Sequence, residues 1–260
     1  MSTVTIDEGF GTIYDRVWKA RILLQLCKEY NLNSITEYDT GVPILESGGV
    51  GLDILILHKL FDPIQIVYLN PTNRDYARKF FSMHNREVNF VSRSNFAKDV
   101  GFSTDILFGN YILEFLHPQE LIDFLAIAKK KCRYMVFFES NHNNLGHKLV
   151  KLVGRRFMIA PWVSYRSMRE TTPEFSVNLL NLNGAKVVKY GMIDFPFFAP
   201  ASGVSPFKSL RTERDNFELS ELGHLKKSMI KGGMRLESIM PHFVRKQSHM
   251  FYVVCKGEFS

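Results

Sequence analysis

The feature that most constrains this chain is the order in which two hydrophobic periodicities alternate. Val17, Ala20, Leu24 and Cys27 recur at spacings of three and four, which predicts an amphipathic helix from about Tyr14 to Tyr30. Ser34 to Tyr38 is a short β-branched run that reads as a strand. A glycine-bearing loop, Asp39 to Gly51, leads into the apolar stretch Leu52 to Leu60, where strand and helix compete and position favours helix. Ile64 to Leu69 reads as the next strand, and Pro71 opens a helix whose apolar face carries Tyr76, Ala77, Phe80 and Phe81. Further strands are predicted at Val88–Val91, Asp105–Phe108, Tyr134–Phe138, Lys186–Ile193 and His249–Lys256. Helices are expected from His117-Pro118, over Asn144–Gly154, and from Thr172-Pro173-Glu174 to a stop at Gly184. Such alternation predicts an α/β fold: a doubly wound three-layer sandwich around a mostly parallel sheet. Ligands of such sheets bind beyond the carboxyl ends of the strands, where strand order reverses.

Composition removes other classes. With 260 residues, 45% apolar and 23% charged, the chain is globular and long enough for one large domain over 1–260, led by a helical segment at 1–33. No run of 18 apolar residues occurs, so no spanning helix and no membrane partner are expected. Met1 to Phe10 carries Asp7 and Glu8 and lacks the apolar region of a signal peptide. Cys27, Cys132 and Cys255 form no C-x-x-C, which reads as buried thiols of a cytoplasmic protein without a metal site. The net charge of +7 permits an anionic partner, although solvated surface explains most such excesses. Phe195 to Gln247 interrupts the alternation, with Pro196, Pro200 and Pro206 and a helical stretch at Leu222–Ile230. It reads as a cap over the site or as a surface embellishment.

Three places at the predicted strand ends carry chemistry. Glu37 precedes the glycine-bearing loop, whose backbone can approach a ligand closely. Asn70 ends the second strand, where nucleotide-binding sheets grip ribose hydroxyls. Asn110 and Tyr111 follow the fourth strand. Together with Ile66–Arg78, Asp105–Leu116 and the Asn183-Gly184-Ala185-Lys186-Val187 join, these stretches resemble the class I S-adenosylmethionine-dependent methyltransferases. The resemblance implies a seven-stranded sheet of order 3-2-1-4-5-7-6 with its last-formed strand antiparallel. It also implies S-adenosylmethionine as cofactor, held by Glu37, Gly48, Gly49, Gly51, Asn70, Asn110 and Tyr111. The family's Glu-x-Gly-x-Gly-x-Gly motif fits in two registers. Glu46-Ser47-Gly48-Gly49-Val50-Gly51 is one residue short; Glu37 has the better strand and a longer loop, and is preferred. Asn70 stands where the family usually has a carboxylate, so Asn70→Asp is expected to strengthen ribose binding.

On the acceptor side, His142 and His147 follow the fifth strand and are candidate bases, with an exposed histidine beside a helix cap as the alternative. Trp162, Arg166 and Arg169 are candidate substrate contacts, since arginine forks match carboxylate or phosphate. The expected partner is a small, anionic methyl acceptor, ahead of RNA. Two rivals compete with methyl transfer. A nicotinamide-dependent oxidoreductase is disfavoured because Gly49-Val50-Gly51 meets Ile54 where G-x-G-x-x-G needs its third glycine. A non-catalytic binding protein on a decayed methyltransferase scaffold is favoured by Asn70 and the irregular glycine motif.

Overall fold

The computed structural model describes residues 7–8, 10–41, 64–83, 87–144, 148, 169–195, 212–213 and 224–259. Seven strands form one sheet: β1 (Ile35–Tyr38), β2 (Ile64–Tyr68), β3 (Asn89–Ser92), β4 (Thr104–Asn110), β5 (Cys132–Ser140), β6 (Lys186–Ile193) and β7 (Met250–Lys256). Their order is 3-2-1-4-5-7-6, and only β7 runs antiparallel to its neighbours. Order and direction both match the expectation. A separate two-residue ladder joins Asp7–Glu8 to Thr212–Glu213.

Side-chain alternation on the central strands feeds two cores. Ile106 and Phe108 of β4, Val136 and Phe138 of β5, and Tyr252 and Val254 of β7 face one side. Leu107, Met135, Phe137, Phe251 and Val253 face the other. Because both faces are covered, β5 and β7 read as nearly continuous apolar runs rather than as alternating ones. The first core is covered by α1 (Phe10–Tyr30), α2 (Pro71–Met83) and α7 (His224–Ile239). The second is covered by α3 (Arg93–Lys98), α4 (Ile112–Phe115), α5 (Pro118–Lys131) and α6 (Pro173–Leu182). These are the three predicted layers.

Local chemistry explains the helix ends. Thr172 accepts the amide of Phe175 at the start of α6, Pro173 occupies its first turn, and Gly184 follows at φ +74°. At the start of α5, Glu120 Oε2 accepts the amide of His117. The inward face of α1 differs from expectation. Tyr14, Trp18, Ala20, Ile22, Leu23 and Leu26 are its buried apolar residues; of the expected face only Ala20 is among them, while Val17, Leu24 and Cys27 only pack at the rim. The helix is covered on more than one side, since Arg16 and Lys19 are buried as well.

The excursion after β6 is corrected in part. Its helix extends from His224 to Ile239, through Gly232-Gly233, and belongs to the first helical layer. Ile230 and Met234 enter the core, and Glu237 accepts from the Tyr14 hydroxyl at 2.8 Å. A short helix α8 (His242–Arg245) then leads to β7. Residues 196–211 and 214–223 lie outside the described residues, as do the expected helix at 52–60 and most of that at 144–154.

Candidate functional site

The carboxyl ends of β1, β2 and β4 meet at one edge of the sheet, with β1 in the middle where the strand order reverses. Glu37 is paired in register with Ile66 and Phe108 and is buried. Two residues later the chain leaves the sheet, and Asp39 ties the edge together. Its Oδ1 accepts from Gly41 N at 2.9 Å and from Asn73 Nδ2 at 3.0 Å. Its Oδ2 accepts from Leu69 N and Asn70 N, each at 3.3 Å. A carboxylate offers about four lone-pair positions, and these four donors fill them. The Asn70 side chain is oriented in turn, with Nδ2 donating to Gly41 O at 3.3 Å. Gly41 sits at φ +81°, and a Cβ there would lie 2.7 Å from Leu69 Cδ2, so the turn needs glycine. Beside Asn70, between the ends of β2 and β3, lies a depression of about 510 Å³ lined by Tyr68, Leu69, Ser92, Arg93, Ser94 and Ala97.

At the end of β4 the backbone turns sharply. A Cβ on Gly109 would lie 2.8 Å from Tyr38 O and 2.4 Å from Ile112 Cδ1, so β1 and α4 close in only around a glycine. Asn110 is 7% exposed, and its Oδ1 has no hydrogen-bond partner among the described residues. Tyr111 adopts the left-handed conformation at φ +58°, donates its amide to Phe138 O at 2.7 Å and starts α4. Its hydroxyl stands 3.9 Å from Met250 Sδ, and Lys19 Nζ lies 5.5 Å above its ring. Burial first, then the carboxylates of Asp15, Glu114, Asp194 and Glu139, push the phenol well above its ordinary range.

The end of β5 holds a group of buried ionisable residues. Glu139 is fully buried and accepts the amides of Leu113 at 2.9 Å and Glu114 at 3.2 Å. Burial pushes its carboxyl well above the usual range; the two amides act against this, and Glu114 adds to it. Arg169 closes the other end of α4, with Nη1 donating to Leu113 O at 2.8 Å and Nη2 to Leu116 O at 2.9 Å. His142 lies within this group, its Nε2 3.2 Å from Glu114 Oε1 and its amide donating to Thr171 O.

Because β7 is antiparallel, its first residues arrive at the same edge. His249 Nδ1 stands 3.3 Å from Asp194 Oδ2, and the His249 amide donates to Asp194 O at 2.8 Å. Asp194 follows β6 at φ +59°, a conformation a non-glycine residue adopts only when its surroundings impose it. Burial raises the Asp194 carboxyl against the pull of His249. Burial alone would lower the imidazole, but the hydrogen bond and charge of Asp194, with Asp15, outweigh it and raise it above its ordinary value. From α1, Lys19 Nζ pairs with Asp15 Oδ2 at 2.7 Å in the same neighbourhood. An imidazole held by a carboxylate beside a lysine–aspartate pair is equipped to hold or pass a proton.

Of the predicted site residues, Glu37, Asn70, Asn110, Tyr111 and His142 come to this edge. Arg169 reaches it as a scaffold: both terminal nitrogens of its guanidinium serve backbone carbonyls, so the expected anion fork is replaced by a helix-closing role. Gly48, Gly49, Gly51, His147, Trp162 and Arg166 lie outside the described residues. Sequence reading missed Asp15, Lys19, Asp39, Asp194 and His249. Only Asp39 carried a signal: counting from Glu37, it takes the place of the motif's first glycine, and Gly41 falls on the second. Asp15 and Lys19 are four residues apart on α1 and pair locally, but they meet Asp194 and His249 only through the tertiary fold.

No protein-family model matches the sequence, and no curated protein sequence does either. Solved structures are similar in fold. The methyltransferase domain of bacterial CtHen1 superposes in two forms. One has a TM-score of 0.50 at 13% identity, covering 92% of this chain and 97% of that one. The other has a TM-score of 0.51 at 12% identity, covering 94% and 98%. A SAM-dependent methyltransferase from Archaeoglobus fulgidus gives 0.49 at 13% identity, covering 93% and 94%. The strand order, the lone antiparallel strand and the two CtHen1 superpositions agree: the chain has the class I S-adenosylmethionine-dependent methyltransferase fold.

Proposed function

We propose that this protein transfers a methyl group from S-adenosylmethionine to a small-molecule acceptor. The observation that carries this reading is the convergence of Glu37, Asn70 and Asn110 at the point where strand order reverses, with the Asn110 Oδ1 buried and unpartnered. A buried acceptor without a donor costs about 1–3 kcal/mol unless a ligand supplies one. The residues fit the cofactor. Glu37 offers a carboxylate to its cationic portion, Asn70 lies beside the depression at the ends of β2 and β3, and Gly109 lets β1 and α4 close in next to Asn110. When bound, the cofactor supplies a methyl group activated by its positive sulfur.

The protein's remaining tasks are orientation, exclusion of water and proton removal. His249, braced by Asp194, is the proton acceptor for an acceptor group that arrives protonated. It takes the place expected for His142, whose Nε2 is turned to Glu114. The reading needs no anionic group on the acceptor, because Arg169 is already engaged.

Calorimetric titration with S-adenosylmethionine tests the proposal. Binding is expected, and Glu37→Gln and Asn110→Ala should each weaken it about tenfold, the loss of roughly one hydrogen bond to a charged or buried group. Tight binding of a nicotinamide dinucleotide with none of S-adenosylmethionine would overturn it. A second reading, a non-catalytic nucleotide-binding protein, draws support from Asp39 in a glycine position and Asn70 in a carboxylate position. Cofactor binding without S-adenosylhomocysteine formation across a broad set of small alcohols, phenols, amines and acids would favour it.

A further inference from the structure

Helix α7 is apolar on two opposite faces, and only one has a partner among the described residues. Ile230, Met234 and Glu237 face the protein and are buried. At about 100° per residue, Leu225, Leu236 and Ile239 fall within an arc of roughly 60° on the far side. Their exposures are 74%, 47% and 73%, and Phe243, four residues beyond Ile239 on α8, is 73% exposed. Singly exposed apolar residues are ordinary, but three on one helix face with a fourth exposed just beyond it make a surface that water does not favour.

The charge around this row has a single sign. From His224 to Lys246 the sequence carries Lys226, Lys227, Lys231, Arg235, Arg245 and Lys246 against one acid, Glu237. That acid points inward to the Tyr14 hydroxyl. Lys231, Arg235 and Lys246 are exposed. The outer face therefore combines leucine, isoleucine and phenylalanine with cations and no exposed acid.

We propose that this face binds the surface of an anionic lipid bilayer, with Leu225, Leu236, Ile239 and Phe243 entering the headgroup–acyl boundary and the flanking cations meeting acidic headgroups. Three features select this occupant. A second copy would bring like charges together, which opposes pairing. A protein groove engulfs its helix, whereas α7 is already fixed by its opposite face and offers only a flat one. Single-stranded RNA is gripped by stacking aromatics, and three of the four apolar side chains here are aliphatic. A bilayer surface requires one apolar face, a basic flank and no spanning segment. No described helix is long and apolar enough to cross a membrane.

Flotation of the full chain with lipid vesicles is the test. Binding is expected to phosphatidylcholine vesicles containing phosphatidylserine, with weakening at high salt, and not to phosphatidylcholine alone. Ile239→Asp combined with Phe243→Asp should abolish it; both sites are exposed, so the melting temperature should hold. Lys231→Gln and Arg235→Gln should each weaken it about fivefold, the equivalent of one cation near an anionic surface. Absence of binding to the acidic vesicles, equal binding to both vesicle types, or indifference to the Ile239/Phe243 pair overturns the proposal. Salt-sensitive binding of polyuridine that ignores the Ile239/Phe243 pair, with no vesicle binding, assigns the basic flank to RNA instead.

Discussion

The two halves of the ligand edge treat their acids in opposite ways. At the β1–β2 end, the Asp39 carboxylate is surrounded by donors: the amides of Gly41, Leu69 and Asn70 and the Asn73 side chain. At the β5–β6–β7 end, Glu139 and Asp194 are taken out of water with less compensation, and burial raises both. The first half uses charge to fix a loop against two strands. The second keeps groups whose protonation is displaced toward the conditions in which a protein works. On the function proposed above, one edge thus separates a gripping half from a half suited to moving protons.

The strongest challenge to this contrast is Glu139→Ala. It strands the buried amides of Leu113 and Glu114 and leaves a cavity, so a loss of about 3 kcal/mol is expected in urea denaturation. Glu139→Gln should recover part of it, because one acceptor oxygen remains. If both variants are near neutral, α4 does not depend on the carboxyl and the proton-handling half loses its scaffold.

Asp39→Ala should cost less, about 2 kcal/mol, because its donors are close enough to solvent to recruit water. The loss should appear also as weaker cofactor binding, since the loop and Asn70 lose their anchor. Asn70→Asp sharpens the point. From sequence it is expected to strengthen ribose binding. In the structure Nδ2 donates to Gly41 O, and Asp39 lies alongside. A carboxylate there would face a carbonyl and another carboxylate, so a destabilisation of about 1 kcal/mol and weaker binding are expected. Tighter binding by Asn70→Asp would restore the sequence-based expectation.

The smallest effect concerns pH. The folded His249 holds its proton more tightly than the unfolded chain does, so its stabilising contribution is full below the ordinary imidazole value near 6.5. That contribution is lost as pH rises through the raised folded value. The raised Asp194 carboxyl acts in the same direction, favouring the fold when protonated and opposing it when ionised. Stability should therefore decline as pH rises above about 6.5. Asp194→Asn should flatten that slope and bring the imidazole down from its raised value, since only the Asp15 charge then opposes burial; NMR titration of His249 reads this directly. An unshifted imidazole in the variant would separate the two residues functionally.

Much of the fold was legible because it rests on local periodicity. The β-branched run at β1, Pro71 opening α2, Thr172-Pro173 opening α6 and the apolar runs of β5 and β7 each follow from residues within a few positions. The inward face of α1 was not legible, because its cover on more than one side comes from elements more than two hundred residues away, such as Glu237 against Tyr14. Strand boundaries also moved: β5 extends from Cys132 to Ser140 rather than over Tyr134–Phe138, because ladder bonds to β4 and β7 continue past the apolar run. For the site, the sequence alone determined that Glu37, Asn70, Asn110 and Tyr111 lie at strand ends, since a strand-to-loop junction is a local property. Only the tertiary structure decided that Arg169 closes a helix, that Asp39 binds two strands together and that Asp194 meets His249. Those pairings depend on strand order and on the reversed direction of β7, and long-range register is not written in the spacing of any one segment.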